Sequence, residues 1–129
     1  MSYLFYGCSE LKSINISNFN TESVKNMDYM FYGCSQLQLI DLSKFNTLKV
    51  KSMEYMFYGC CELISIYLSN FITPLLQNSE SMFEGCSKLQ SLVLSNFNSS
   101  SIISMNNMFK GCTSLKFLDI SSYDTDMTL

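Results

Sequence analysis

Met30–Thr47 reads MFYGCSQLQLIDLSKFNT, and its Gly-Cys pair sets the phase of the whole chain. The pair recurs as Gly7-Cys8, Gly33-Cys34, Gly59-Cys60, Gly85-Cys86 and Gly111-Cys112, each 26 residues after the last. A period of that length, held without an insertion, means stacked supersecondary units that each bury an apolar face on their neighbours. About five copies of one repeat therefore fill residues 1–129 as a single array.

Measured from the Gly, each repeat carries an aliphatic residue at the fourth, seventh and ninth places. The copies are Leu11, Ile14 and Ile16, then Leu37, Ile40 and Leu42, then Leu63, Ile66 and Leu68. Leu89, Leu92 and Leu94 follow, and then Leu115, Leu118 and Ile120. This is the L-x-x-L-x-L spacing of a leucine-rich repeat. The seventh and ninth places share one face of a short strand and the eighth and tenth share the other, so consecutive strands pair in parallel up the stack.

An aromatic stands at the twelfth place as Phe19, Phe45, Phe71, Phe97 and Tyr123, where many leucine-rich repeats have Asn or Cys. Thr21, Thr47, Thr73, Ser99 and Thr125 come next, each a good helix N-cap type. Apolar residues then recur three or four apart, as in Val24, Met27, Met30 and Phe31, which predicts a short helix or successive 3₁₀ turns ending at the Gly. The only proline, Pro74, follows Thr73 in the first-turn slot where a helix tolerates it. The fold class expected is an α/β repeat solenoid: a right-handed leucine-rich-repeat coil with a parallel β-sheet on one face and short α or 3₁₀ turns on the other.

The full motif, M-x-x-M-F-x-G-C-S-x-L-x-x-I-x-L-S-x-F-x-T, is narrower than a generic leucine-rich repeat. It resembles the BspA-like leucine-rich-repeat surface proteins over essentially all 129 residues, with departures at Leu4, Cys61 and the Ile72–Ser81 turn. The resemblance implies an extracellular or cell-surface protein with adhesive or binding roles and no catalytic residues. Met1 falls in the column of Met27, Met53 and Met105, and Leu129 stops partway through the next repeat. The sequence thus reads as a window of a longer array.

Composition narrows the partners. The net charge is −3, there is no Arg, and the eight Lys are scattered, so no basic stripe is present to neutralise phosphates and nucleic acid is not expected. No apolar run approaches the length of a membrane span, and the first residues lack the basic start of a signal peptide.

Five of the six cysteines share one column, with Cys61 beside the third. Stacked equivalents have parallel Cβ vectors about 5 Å apart, whereas a disulfide needs about 3.8 Å and convergence. With no His in the chain and no paired C-x₂-C spacing, no metal site and no cofactor are expected. The column reads as buried free thiols filling core volume, with Cys61 as the accessible one. The nine Met and the aromatic columns likewise read as core. Acids such as Asp41, Asp119, Glu54 and Glu80 have neither His nor Arg nor a spaced acid partner. An enzyme is therefore not expected, and no residue is assigned as catalytic.

The positions that vary are those pointing away from the core along the strands. The eighth place reads Asn15, Asp41, Tyr67, Val93, Asp119; the sixth reads Ser13, Leu39, Ser65, Ser91, Phe117; the tenth is always Ser. Leu39, Asp41, Tyr67, Val93, Phe117 and Asp119 are the candidate ligand-binding residues, since solenoids use such open faces for extended recognition. The plainer alternative is a solvated sheet with variable decoration. Asn15 and Asn98 begin N-glycosylation acceptor patterns, which matter only in a eukaryotic secretory route.

Two functions fit. The first is a non-enzymatic binding or adhesion module of a microbial cell-surface protein, recognising protein or glycan on a host or neighbouring cell through the strand face. The alternative is a structural subunit that self-associates end to end into an extracellular fibre, because Leu129 and Met1 nearly continue one register in a non-closing contact.

Overall fold

Stacking identical residues on one another at each repeat produces ladders, and the ladders fix the architecture. A computed structural model describes residues 1–98 and 100–122. Ser99, Tyr123 and Thr125, assigned to the cap and aromatic columns above, lie outside the described residues. The core is one cluster: Met27, Met30, Phe31, Leu37, Ile40 and Leu42 of the second repeat and their equivalents in the third and fourth are nearly all fully buried. Phe5, Phe31, Phe57, Phe83 and Phe109 stack through this core with ring centroids 5.3–6.3 Å apart. A fully buried Phe such as Phe31, Phe57 or Phe83 contributes about 1.5–3 kcal/mol by burial, and its stacking adds about 1 kcal/mol, so this ladder helps tie the coils together along the stack.

The described residues form four short strands: β1 (Leu39–Asp41), β2 (Ser65–Tyr67), β3 (Ser91–Val93) and β4 (Phe117–Asp119). They run parallel and in the expected register, with Ile40 opposite Ile66 and Leu92 opposite Leu118. The sheet is not continuous, however. β1 pairs with β2 and β3 with β4, and the seam between β2 and β3 carries no strand pairing.

Of the two expected forms, a short helix or successive turns, the helix is not found: no described residue is helical. Between Thr21 and Cys34 the chain instead makes turns closed by bonds from Val24 N to Thr21 O, Tyr32 N to Tyr29 O and Cys34 N to Phe31 O, at 3.0–3.2 Å. The amides between them point along the stack. Met27, Tyr29, Phe31 and Gly33 donate to the carbonyls of Ser52, Glu54, Met56 and Tyr58 in the next coil at 2.8–2.9 Å. Beyond its first turn a helix satisfies its amides internally, so a segment that spends alternate amides on its neighbour from Met27 to Gly33 is not one. Tyr29 at φ 58° and Gly33 at φ 71° also take the left-handed conformation that a right-handed helix excludes. Turns that advance three residues at a time still place Val24, Met27 and Met30 on one side, which is why the apolar spacing imitates a helix.

The threonine column serves as turn starts rather than N-caps. Thr21 Oγ1 accepts from the amide of Asn46 at 2.8 Å, Thr47 Oγ1 donates to the carbonyl of Ile72 at 2.9 Å, and Thr73 Oγ1 accepts from the amide of Asn98 at 3.1 Å. All three are buried, and each ties its coil to the next. Pro74 sits second in the turn closed by Leu76 N to Thr73 O, where its fixed φ is already suited.

All six cysteines are free thiols. Cys34, Cys60, Cys86 and Cys112 each donate to the carbonyl of the Phe one coil earlier, at 3.1–3.3 Å. Cys61 is half-buried and donates to Ser35 O, and the exposed thiol is Cys8, which has no coil packed against it on that side. The twelfth-place spine is buried at Phe45, Phe71 and Phe97, while Phe19 is exposed. The tyrosines depart most from the core reading: Tyr3 and Tyr6 are more than half exposed, and Tyr29, Tyr32, Tyr55 and Tyr58 are half-buried.

Candidate functional site on the strand face

Register places the outward side chains of the strands in three rows. Leu39, Ser65, Ser91 and Phe117 form the first; Asp41, Tyr67, Val93 and Asp119 the second; Ser43, Ser69, Ser95 and Ser121 the third. Leu39, Tyr67, Val93 and Phe117 are 43–58% exposed, a large apolar exposure for one small face.

The second row alternates between two local structures. Where it holds Asp or Asn, the side chain folds back to form an Asx turn. The Asp41 carboxylate accepts from Ser43 N at 2.9 Å, Asp119 accepts from Ser121 N at 2.9 Å, and Asn15 accepts from the amide and hydroxyl of Ser17. The hydroxyl and then the amide of Ser43 hold the Asp41 carboxyl below its usual range, and the Ser121 amide does the same for Asp119. Both carboxylates stay ionised at neutral pH and are poor proton donors. Tyr67 and Val93 have no such acceptor, so their side chains project into solvent.

Those two replacements lie on the two strands that fail to pair. Between them is a cleft of about 560 Å³ with Asp41 and Ser43 at one end and Ser95 and Asn96 at the other. Its floor includes Ile66, less buried than its equivalents Ile40 and Leu92, and its walls carry Tyr67, Val93 and the hydroxyls of Ser65, Ser69 and Ser91. On either side of the seam, bonds from Leu42 N to Tyr67 O and from Leu94 N to Asp119 O extend the strand ladders. A side-chain bridge spans the seam, from Asn96 Nδ2 to Ser69 O at 3.1 Å, as one from Asn70 Nδ2 to Ser43 O spans the paired coils at 2.6 Å.

Of the six residues expected on this face, Asp41, Tyr67 and Val93 come together in the cleft. Leu39, Phe117 and Asp119 lie outside its lining. The serines and Asn96 were missing from the expected set, although the invariant tenth-place Ser already marked the row. Asn15 and Asn98 are both exposed, and the Asn98 side chain accepts from Ser100 N at 2.8 Å. Among the described residues no cluster of His, Cys, Asp and Glu is placed to hold a metal.

The repeat matches the family described as Mycoplasma protein of unknown function, DUF285, over residues 1–90 and again over residues 63–128. The chain belongs to this family. The chain also resembles the crystal structure of a leucine-rich repeat protein of T. pallidum, with a TM-score of 0.57 and 21% identity. That likeness covers 92% of this chain but 60% of the other, so the chain spans under two thirds of that structural neighbour. At this identity the likeness speaks to the fold, a leucine-rich-repeat solenoid. No curated protein matches the sequence.

Proposed function

We propose that the chain is a non-enzymatic binding module of a microbial cell-surface protein of the BspA-like type, and that it adheres to its ligand through the strand face. The observation that carries this reading is the coincidence of three features at one place: the unpaired seam, the loss of the Asx turn at Tyr67 and Val93, and the cleft they open. Core columns repeat through all five copies while these outward positions differ, as expected of a scaffold that presents a chosen surface.

Of the two ligand classes, the lining favours a glycan over a protein. Five serine hydroxyls and the Asn96 amide offer donors and acceptors that complement sugar hydroxyls, and Tyr67 offers a ring edge and face for an apolar sugar surface. Among the described residues Asp41 is the one charged group in the lining, and none there is a cation that would favour an anionic ligand. The test is binding of the chain to immobilised neutral glycans and to host matrix proteins, alongside Tyr67→Ala and Asn96→Ala. Retained glycan with loss of about tenfold or more in both variants supports the reading. Binding that ignores Tyr67 and Asn96, or capture of proteins alone, sinks it.

End-to-end assembly is favoured by a different observation. Tyr3, Phe5 and Gly7 donate to the second coil, but the matching amides of Asn107, Phe109 and Gly111 have no following coil among the described residues. A second copy would accept those bonds, and so would a further repeat. Sedimentation of the isolated chain tests this reading: a monomer at all concentrations removes it.

A further inference from the structure

Six of the eight tyrosines fall in two adjacent columns of the turn segments. Tyr3, Tyr29 and Tyr55 form one and Tyr6, Tyr32 and Tyr58 the other; within a column the rings stack at 4.8–5.0 Å with planes no more than 10° apart. Across the columns the rings tilt against each other at 5.6–6.4 Å, as in Tyr29 against Tyr6 and Tyr32. The patch has a sharp edge. In the fourth and fifth repeats the first column becomes Ser81 and Asn107, and the second becomes Glu84 and Lys110. The backbone does not require tyrosine, since Ser81 and Asn107 keep the same left-handed φ of 51° and 58°. Nor does the core, which is complete in Met and Phe beneath them.

What such a surface would take is decided by its flank. Asp28, Glu54 and Glu80 occupy the position just before the tyrosines of the first column, or its Ser81 replacement, in three consecutive coils. Burial, and after it the charges of Asp28 and Glu80, pushes the Glu54 carboxyl above its usual range, and no cation offsets this. The two ion pairs among the described residues, Lys88 with Glu62 and Lys110 with Glu84, reach none of the three. Tyr55 Oη already donates to Glu80 Oε1 at 2.9 Å, and Ser52 Oγ and the Glu54 amide donate to Asp28. Covering this row with an apolar or anionic partner would desolvate like charges without compensation. A cationic partner supplies the missing charge, and its side chains also interact favourably with phenol rings and hydroxyls. The net charge of −3 favours the same encounter.

We propose that the tyrosine face is a second docking surface, separate from the strand-face cleft, and that its occupant is a lysine- or arginine-bearing polypeptide segment.

The experiment is titration calorimetry of the full chain with a short peptide of alternating lysine and glycine, against a glutamate–glycine peptide, at low and raised salt. Two variants accompany it. Glu54→Gln with Glu80→Gln removes charge while keeping an oxygen to accept from Tyr55, and a thermal melt confirms its folding. Tyr29→Ser with Tyr55→Ser installs the residue that Ser81 already supplies in that column, and a thermal melt confirms its folding. The lysine peptide binds the wild type, weakens as salt rises, and loses about tenfold or more on each variant. The proposal is overturned if the lysine peptide does not bind, if the glutamate peptide binds as well, or if the Glu54/Glu80 variant binds as the wild type does.

Discussion

The Cys60 thiol donates to the carbonyl oxygen of Phe31 at 3.2 Å, one coil back along the stack. The Phe31 carbonyl also accepts from the Cys34 amide at 3.1 Å, so it is not left without a partner when the thiol is removed. Cys60→Ala therefore loses one weak bond and a sulfur's worth of packing from a fully buried site, a cost of about 1–2 kcal/mol. Cys8→Ala, at the exposed member of the column, costs under about 0.5 kcal/mol. Urea denaturation of both variants checks the contrast; equal losses would mean that the column is not held by burial.

The same burial makes the fold sensitive to alkali. Burial pushes the Cys34 and Cys112 thiols from an ordinary 9.0 up to about 11. In the unfolded chain these thiols ionise first, while the folded chain still holds their protons, so the unfolded state binds fewer protons over this interval. Stability is fully present below pH 9.0, falls as pH rises, and that contribution is gone once pH passes about 11. Denaturant midpoints measured across this range should decline, and Cys34→Ala with Cys112→Ala should make the decline shallower without removing it, because burial also raises the Cys60 and Cys86 thiols. A wild-type midpoint that holds level to pH 11 contradicts the assignment.

The glycine column separates backbone strain from crowding. Gly7 and Gly85 hold φ of +71° and +80°, where an L side chain costs about 1–2 kcal/mol. A Cβ on Gly7 meets nothing within 4 Å, whereas one on Gly85 meets the Gly59 backbone at 3.5 Å, an ordinary contact. Gly7→Ala and Gly85→Ala should thus destabilise by similar amounts, about 1–2 kcal/mol each, in thermal melts. A much larger loss at Gly85 would show that coil spacing, not φ, demands glycine there.

The columns from Leu37 to Phe45 were legible because a residue repeated at every coil and never exchanged for a polar one must stack on itself in the interior. The turn segment was legible only as far as two alternatives, because Val24, Met27 and Met30, three apart, suit a helix and a chain of turns alike. Composition does not say whether an amide bonds within its own coil or along the stack. The tyrosines were misassigned for a related reason: a column of identical rings stacks as well at the surface as in the core, and a phenol tolerates both. The seam could not be read from the strand residues, since the inward Ile40, Ile66, Leu92 and Leu118 are nearly interchangeable. Its trace in the sequence lies in the outward places, where Leu39 and Phe117 flank Ser65 and Ser91, and Asp41 and Asp119 flank Tyr67 and Val93.

That trace supports a substitution that runs opposite to the usual loss-of-function design. Val93 is half exposed and contributes little to the core, and its amide neighbour at Ser95 stands where Ser43 and Ser121 stand beside Asp41 and Asp119. Val93→Asp should form the Asx turn of the flanking repeats, with Ser95 N donating to the new carboxylate, and leave stability unchanged or raised by up to about 1 kcal/mol. The same change draws the side chain back from the cleft and puts a second negative charge beside Asp41 and Tyr67. Ligand held in the cleft should then be lost while the melting temperature holds. If Val93→Asp binds as tightly as the wild type, the missing Asx turn is decoration, and the cleft is not where the strand face makes its contact.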